Sequence, residues 1–483
     1  MLKRFALGAL IIIAMTAAAT STATLLEISD DVDIIKRGEK IPDIEGVLDD
    51  VDAGKPQTIL LLGSDRRYVD REDEHAARSD TIILIRLDPS KPATAVLSIP
   101  RDLMTDIPGY GRAKINEAYS AGGPRKTVET LRALLDIPIN HVINVNFGGF
   151  RDAVDRLGCV YLDIDRRYFN DNNPPVASDS NYATIDVQPG YQKLCGQDAL
   201  DWVRFRHLDT DFVRAARQQE FLRQAKAQFG LGKIFSSRKE LLRIFARYTQ
   251  TDIHSTQATL RLLKLAFQSA SHPIREVHFR GDIAGDTTLS YVDVTPENLA
   301  LTREEFLDPK QRETPTGHKR RKADGYKPGE LADGMVADWV GGLSRVTGAR
   351  KSARFPVYYP GHRLETGSYV EDPPRVYEIK DRKGHAYRAY RIVVEAGEAL
   401  GQYYGIQGTT WTNAPVLDDP SETRTIDGRR YELFYDGRRL RMVVLRTPGA
   451  VYWVANTLLQ SLTNAQMLDL AVSLREAGSK SGG

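Results

Sequence analysis

Thr58-Ile59-Leu60-Leu61-Leu62-Gly63-Ser64-Asp65 is the stretch that decides the fold. Its apolar run reads as a buried strand, and the turn that ends it delivers a polar loop at the C-terminal end. Two more apolar runs, 81–87 and 93–99, are joined by Asp88-Pro89-Ser90-Lys91-Pro92 and read as a hairpin. Pro100 closes the second run and leaves Arg101-Asp102 at its tip. Downstream, helical spacing over 127–135 precedes a short strand at 141–146. A helix over 150–157 is stopped by Gly158, and another strand follows at 160–164. Residues 203–206 read as a possible strand, with Asp211 capping a long helix to about 229. Helices over 239–248 and 257–270 lead to a last strand at 274–279. Strands alternating with helices give an α/β domain at 56–305, a mixed central sheet flanked by helices.

The flanks read differently. Lys3 and Arg4 precede an uncharged segment, 5–26, and Glu27, Asp30, Asp31 and Asp33 follow it. That pattern predicts a signal anchor over 1–30, a single transmembrane pass that leaves the rest outside the cytoplasmic membrane. A cleaved signal peptide is the alternative. Polar residues 31–55 read as a stalk, and the basic, Pro- and Gly-containing stretch 306–334 as a solvated linker. Residues 335–483 have the rhythm of short antiparallel strands followed by a helix, a smaller α+β domain. Trp411, Tyr403, Tyr404 and Trp453 suit its core better than a sugar-stacking face.

The chain has 483 residues, of which 66 are Lys or Arg and 64 Asp or Glu, a formal charge of +2. A nucleic-acid partner is not expected from that balance, nor for an exported domain. Two cysteines exclude a disulfide-dense scaffold and any four-cysteine metal site. In an exported chain Cys159 and Cys195 are expected to pair, contributing about 3–4 kcal/mol in the chain-entropy model. Two separate buried thiols are the alternative.

No P-loop, His-Glu-x-x-His or Gly-x-Ser-x-Gly motif is present, so carboxylates and arginines have to carry any reaction. Asp65 and Asp80 flank a polar loop between two strands, where both can lie at one sheet edge. Magnesium binds through one or two carboxylates, with substrate phosphates completing its octahedron. Arg78 and Arg101 lie near these acids. Arg204 and Arg206 share a face if extended, and Arg214, Arg217 and Gln218 share a helix face. Salt bridges to Asp201, Asp209 and Asp211 are the plainer reading. Three acids are nonetheless few for so many arginines, and the surplus points to a bound polyanion.

Leu62-Gly63-Ser64-Asp65-Arg66-Arg67, Arg78-Ser79-Asp80-Thr81, Ser98-Ile99-Pro100-Arg101-Asp102, Lys114-Ile115-Asn116-Glu117-Ala118-Tyr119 and Gly122-Gly123 closely resemble the LytR-CpsA-Psr family. Arg204-Phe205-Arg206, Asp209, Asp211 and Arg214-Ala215-Ala216-Arg217-Gln218-Gln219 continue the match over about 56–280. The resemblance implies a membrane-anchored phosphotransferase. It would move a glycan from a polyprenyl-pyrophosphate carrier to peptidoglycan, with the prenyl chain in an apolar pocket of the α/β domain. By motif, Asp65 and Asp80 correspond to magnesium ligands. Arg78, Arg101, Arg204, Arg206, Arg214, Arg217 and Gln218 correspond to pyrophosphate contacts. Asp80 or Asp102 is the candidate proton acceptor, with Arg101 beside it, and Lys114 and Asn116 orient the loop or support it. A prenyl-pyrophosphate hydrolase and a non-catalytic lipid-linked glycan binder are the competing readings. Trp202 departs mildly from the family pattern, the cysteine pair suggests a subgroup, and the C-terminal module lies outside the resemblance.

Overall fold

The computed structural model describes residues 34–35, 38–52, 54–64, 79–171, 183–205, 209–229, 236–269, 272, 274–285, 290–309, 324–370, 373–397 and 401–478. The chain forms two compact units. The first comprises Met1–Val160, Cys195–Arg204 and Gln218–Gln311; the second comprises Tyr161–Leu194, Phe205–Arg217 and Arg312–Gly483.

The first unit is built on a seven-stranded mixed sheet. Its strands are β1 (Glu39–Lys40), β2 (Gln57–Ser64), β3 (Ser79–Leu87), β4 (Thr94–Ile99), β5 (His141–Val145), β6 (Thr249–Thr251) and β7 (Ile274–Val277). They lie in the order β1-β6-β5-β2-β3-β4-β7. Ile59, Leu60, Leu61 and Leu62 of β2 have no exposed surface, so the run that opened the sequence reading is the sheet's buried middle. The β3–β4 hairpin turns on Asp88, whose carboxylate accepts from the Ser90 amide at 3.0 Å and the Ser90 hydroxyl at 2.6 Å.

Helices α1 (Glu117–Leu135) and α2 (Phe147–Leu157) follow the sheet's turns. Gly123, at φ 61°, breaks α1 into two pieces in a conformation that a side chain would strain, and Pro124 follows it. Asn146 caps α2 by accepting from the Gly148 and Gly149 amides, and Gly158 ends it in the left-handed region at φ 90°. The remaining helices are α3 (Gly196–Arg204), α4 (Asp211–Gln228), α5 (Arg238–Tyr248), α6 (Thr256–Ser269) and α7 (Pro296–Leu307). Cys159 and Cys195 form a disulfide that ties the end of α2 to the start of α3.

The structure corrects two sequence expectations here. Residues 203–204 are not extended but are the last turn of α3, whose Ala199, Leu200, Trp202 and Val203 are buried at helical spacing. Four residues of mixed polarity are too few to separate strand from helix by their period. Nor are residues 31–55 a free stalk: Ile35, Ile41, Ile44 and Val47 are buried, and β1 pairs in parallel with β6. Asp49 holds this segment down. It accepts from Arg132 Nη2 at 2.8 Å and from the Ile139 amide at 2.9 Å.

The second unit carries an antiparallel sheet of β8 (Ser368–Tyr369), β9 (Arg375–Lys380), β10 (Ala386–Glu395), β11 (Tyr403–Thr409), β12 (Glu422–Ile426), β13 (Arg429–Asp436), β14 (Arg439–Thr447) and β15 (Ala450–Ala455). Its order is β8-β10-β11-β15-β14-β13-β12, with β9 also on β10. Alternation along the strands gives it two apolar faces. One buries Tyr390, Ile392, Tyr452 and Val454 with residues of helices α8 (Trp339–Ala353) and α9 (Asn464–Val472). The other buries Ala389, Val451, Trp453 and Trp411 together with Tyr161 and Tyr191. These two tyrosines come from a strand pair, Val160–Ile164 with Gly190–Leu194, inside the segment read from sequence as part of the α/β domain.

The C-terminal residues therefore do not make a module by themselves. Asp163 accepts from Arg391 Nη1 and from Trp453 Nε1, each at 2.8 Å. The expected linker also contributes: Asp324 pairs with Arg424 at 2.8 Å, while residues 310–323 lie outside the described residues. Trp411, Tyr404 and Trp453 are core residues, as the sequence suggests, whereas Tyr403 is only half-buried. The apolar segment at 5–26 lies outside the described residues, and no described helix is long and apolar enough to cross a membrane.

Candidate active site at the sheet edge

Strand register fixes one end of the first unit's sheet as the place where motif residues gather. Gly63 of β2 pairs with Thr81 of β3 and with Val145 of β5. Ile99 of β4 pairs with Ile82, and Leu97 with Val277 of β7. The C-terminal ends of β2, β4, β5 and β7 thus share an edge, where ligands of open α/β sheets commonly bind. The register slips here: Gly63 faces Thr81 but Ser64 faces Ser79, so Asp80 is the extra residue of a β-bulge. Bulges re-aim a strand and are common beside active sites. Asp65 follows Ser64 directly, but it, Arg78 and Arg206 lie outside the described residues.

One strand over, Arg101 and Asp102 follow Pro100 at the tip of β4. Arg101 Nε lies 3.5 Å from Asp102 Oδ2, and Lys114 Nζ lies 3.4 Å from Asp102 Oδ1. Asp102 thus sits between two cations, each partly open to solvent. Backbone bonds lock the arrangement: the Asn116 amide donates to the Arg101 carbonyl at 3.1 Å, and the Ile115 amide to the Leu103 carbonyl at 2.8 Å. Lys114 reaches Asp102 because a hairpin, Met104–Ile107 with Gly111–Lys114, returns the chain to its own start. Asn116 is buried, and its Oδ1 has no hydrogen-bond partner among the described residues. Lys114 and Asn116 are thus more closely tied to Arg101 than sequence spacing discloses.

The other expected arginines are bound to acids. Arg204 donates to Asp201 through Nε at 2.9 Å and Nη2 at 2.5 Å. Arg214 pairs with Asp211 one turn before it. Arg217, with no exposed surface, pairs with Asp209 at 2.7 Å and donates to the Phe205 carbonyl at 2.9 Å. The expectation of a surplus of unneutralised arginines is therefore corrected for these three, because acid and arginine three apart on a helix face each other at 201/204 and 211/214. Gln218 is buried on α4.

Sequence reading missed Arg166, the second cation on Asp209 at 2.7 Å, stacked 4.5 Å over the Tyr168 ring. Tyr168 donates to Asp165 at 2.6 Å. Burial pushes the Asp165 carboxyl above its usual range, and Arg166 opposes that shift. The run Asp163-Ile164-Asp165-Arg166-Arg167, charged residues at the end of an apolar strand, was the available signal.

The LytR_cpsA_psr family model matches residues 16–305. The chain belongs to the LytR-CpsA-Psr family, and it is an enzyme, a transferase of that family's type. The polyisoprenyl-teichoic acid–peptidoglycan teichoic acid transferase TagU of Halalkalibacterium halodurans is 30% identical over 275 residues, 56% of this chain and 84% of that protein. TagT of Bacillus subtilis, of the same description, is 36% identical over 172 residues, 35% of this chain and 52% of that one. Among solved structures, TagT bound to LIIa-WTA aligns with TM-score 0.42 and 26% identity, covering 53% of this chain and 92% of that one. YwtF (TagT) with bound octaprenyl pyrophosphate lipid aligns with TM-score 0.39 and 25% identity, covering 56% and 95%.

Proposed function

We propose that the chain joins a glycan polymer, through a phosphodiester, to peptidoglycan, taking it from a polyprenyl-pyrophosphate carrier outside the cytoplasmic membrane. The observation that carries this reading is the Arg101–Asp102–Lys114 cluster at the tip of β4, at the same end of the sheet as the β3 bulge. The relatives' transferase names support the same substrate class. An acceptor sugar hydroxyl attacks the phosphorus that bears the glycan. The new O–P bond forms as the P–O–P bridge breaks, prenyl monophosphate departs, and the hydroxyl proton passes to Asp80 or Asp102.

Such a transfer needs charge neutralisation and in-line positioning more than covalent help. Arg101 and Lys114 supply positive charge at the strand tip, and Asp102 holds the two in place. Arg78, Arg204, Arg206, Arg214 and Gln218 remain proposed pyrophosphate contacts. Arg217, also a proposed pyrophosphate contact from the motif, is wholly buried and holds Asp209 and the Phe205 carbonyl.

Asp65 and Asp80 are the proposed magnesium ligands. Carboxylates are hard oxygen donors suited to that ion. When bound, magnesium would neutralise phosphate charge. The segment at 1–30 is the proposed membrane anchor.

The test is incubation with a synthetic prenyl-pyrophosphate oligosaccharide, uncross-linked peptidoglycan chains and magnesium, with products read by mass spectrometry. A glycan–phosphate–peptidoglycan adduct is expected, and Arg101→Ala should lower its rate on the order of 10²–10³-fold. Prenyl phosphate release with no adduct would replace transfer by hydrolysis. Donor binding with no turnover would leave a binding protein.

A further inference from the structure

One face of the second unit's sheet holds a cavity of about 300 Å³. Strand register puts Arg375 of β9 directly opposite Arg391 of β10, and places Val393 and Tyr403 of β11 on that same face. These four side chains line the cavity together with Arg166, Arg167 and Arg345. No carboxylate is among its described lining residues. Glu371 and Asp372, next to Pro373 of the wall, lie outside the described residues. Like charges directly opposite on neighbouring strands repel, so arginines placed this way call for counter-charge.

Most of them have it. Arg391 pairs with Asp163 at 2.8 Å, Arg166 pairs with Asp209 at 2.7 Å, and Arg345 has a partner as well. Arg167 holds Asp186 by two parallel bonds, Nε at 2.9 Å and Nη2 at 3.1 Å. Arg375 is the exception. Its Nη1 donates to the Pro189 carbonyl at 2.8 Å and to Gln192 Oε1 at 3.4 Å, and its guanidinium lies 4.0 Å over the Tyr377 ring. Its other edge, Nε with Nη2, meets no hydrogen-bond acceptor among the described residues, and neither nitrogen is buried. That is the edge with which Arg167 grips Asp186, the fork that fits a carboxylate or a phosphate. Burial pushes the Arg375 guanidinium below its usual value, the cost of a half-buried cation short of counter-charge. An anion on the open edge would relieve that cost.

The rest of the wall sets the body of the ligand. Phe169 is 46% exposed, although the Arg167 guanidinium lies 4.5 Å over its ring. Val370, Pro373 and Pro374 add apolar surface. A volume of about 300 Å³ is at the small end of small-molecule sites, room for a single sugar residue and its charged group. One open cation calls for one anionic group.

We propose that this pocket binds one sugar residue carrying a single carboxylate or phosphate, the anion on the Nε/Nη2 edge of Arg375 and the apolar face of the sugar ring toward Phe169. The inference rests on the glycan-transfer reading. The ligand is a charged sugar of the donor polymer, and the pocket selects donors that carry one.

The test is ligand-observed NMR on the full-length chain in detergent, titrated with glucose 6-phosphate, glucuronate, glucose and inorganic phosphate. At least one charged sugar should bind about tenfold tighter than glucose, and the tighter of the two identifies the anionic group. Arg375→Gln should remove that preference, and Arg375→Lys, which keeps the charge but loses the fork, should restore it only in part. Phe169→Ala changes an exposed side chain, so it stays informative if the Arg375 variants fail to fold. It should weaken both charged sugars and leave inorganic phosphate unchanged. Arg101→Ala should leave this binding intact, which separates it from anion binding at the sheet edge. Glucose binding as tightly as the charged sugars, inorganic phosphate doing so, or no binding at all overturns the proposal. So does binding that either Arg375→Gln or Phe169→Ala leaves unchanged. Transfer without this binding would sink the pocket alone. This binding in a chain that forms no glycan–phosphate–peptidoglycan adduct would sink the transfer reading alone.

Discussion

At the scale of single residues, the site turns on how Asp80 and Asp102 differ. Asp102 has each carboxylate oxygen facing a cation, Arg101 at 3.5 Å and Lys114 at 3.4 Å, so its proposed part is to position them. Asp80 stands in the bulge with the register passing over it. Asp80→Asn should cost transfer roughly 10²–10⁴-fold and remove the acid limb of the pH–rate profile. Asp102→Asn should cost up to about 10²-fold by misplacing its two cations and keep that limb. The opposite pattern would exchange their roles. Asp165 gives a separate test, of stability. Burial raises its carboxyl, so the folded chain holds that proton more tightly than the unfolded chain. The resulting stability is complete below the unfolded value, near pH ~4, and is lost as pH rises through the folded value. Asp165→Asn keeps an acceptor for Tyr168 and cannot titrate. Measured by urea unfolding, it should therefore gain stability relative to the unmodified chain as pH rises from about 4 toward neutrality. A difference independent of pH would count against the buried carboxyl.

Elements show which local signals suffice. The Asp88 turn and the Gly158 stop each act over a few residues and end their strand or helix where the sequence indicates, whereas the Asn146 cap starts α2 at Phe147, ahead of the expected 150. The reading of 203–206 failed because four residues of mixed polarity fit either period, and the helical burial of Trp202 and Val203 decides it. The disulfide is an element-scale device: it joins the residue after the α2 cap to the residue before α3 at a sequence separation of 36, and the chain between belongs largely to the other unit. Replacing Cys159 and Cys195 by serine should lower unfolding stability by about 3–4 kcal/mol in the chain-entropy model. An unchanged urea midpoint would show that the link constrains little.

For the whole molecule, the main consequence is that residues 335–483 are not a detachable appendage. Tyr161 and Tyr191, both without exposed surface, are buried in a cluster with Trp411 and Trp453. Asp163 is the acid that matches Arg391. A chain ending at residue 334 should lose that cover, exposing two tyrosines and leaving Asp163 without its partners. Size-exclusion chromatography should then find aggregate; a soluble, active truncated enzyme would show that the first unit and residues 161–194 need no such support.

Short-range physics made part of this protein legible along the chain. That includes the apolar period of β2, β3 and β4, the turn chemistry between them, the helix stops, and an ordered set of motifs specific enough to give the family. It also placed Asp80, Arg101 and Asp102 at strand ends. Tertiary structure alone decided which charges remain available. Arg204, Arg214 and Arg217 look alike in the sequence, yet each is held by an acid. Only the fold separates them from Arg375, which meets no carboxylate among the described residues. Tertiary structure also decided where the units divide, since the hydrogen bond from Trp453 to Asp163 spans 290 residues. A pairing across that distance leaves no periodic trace, because it depends on the burial of both groups and not on their spacing along the chain.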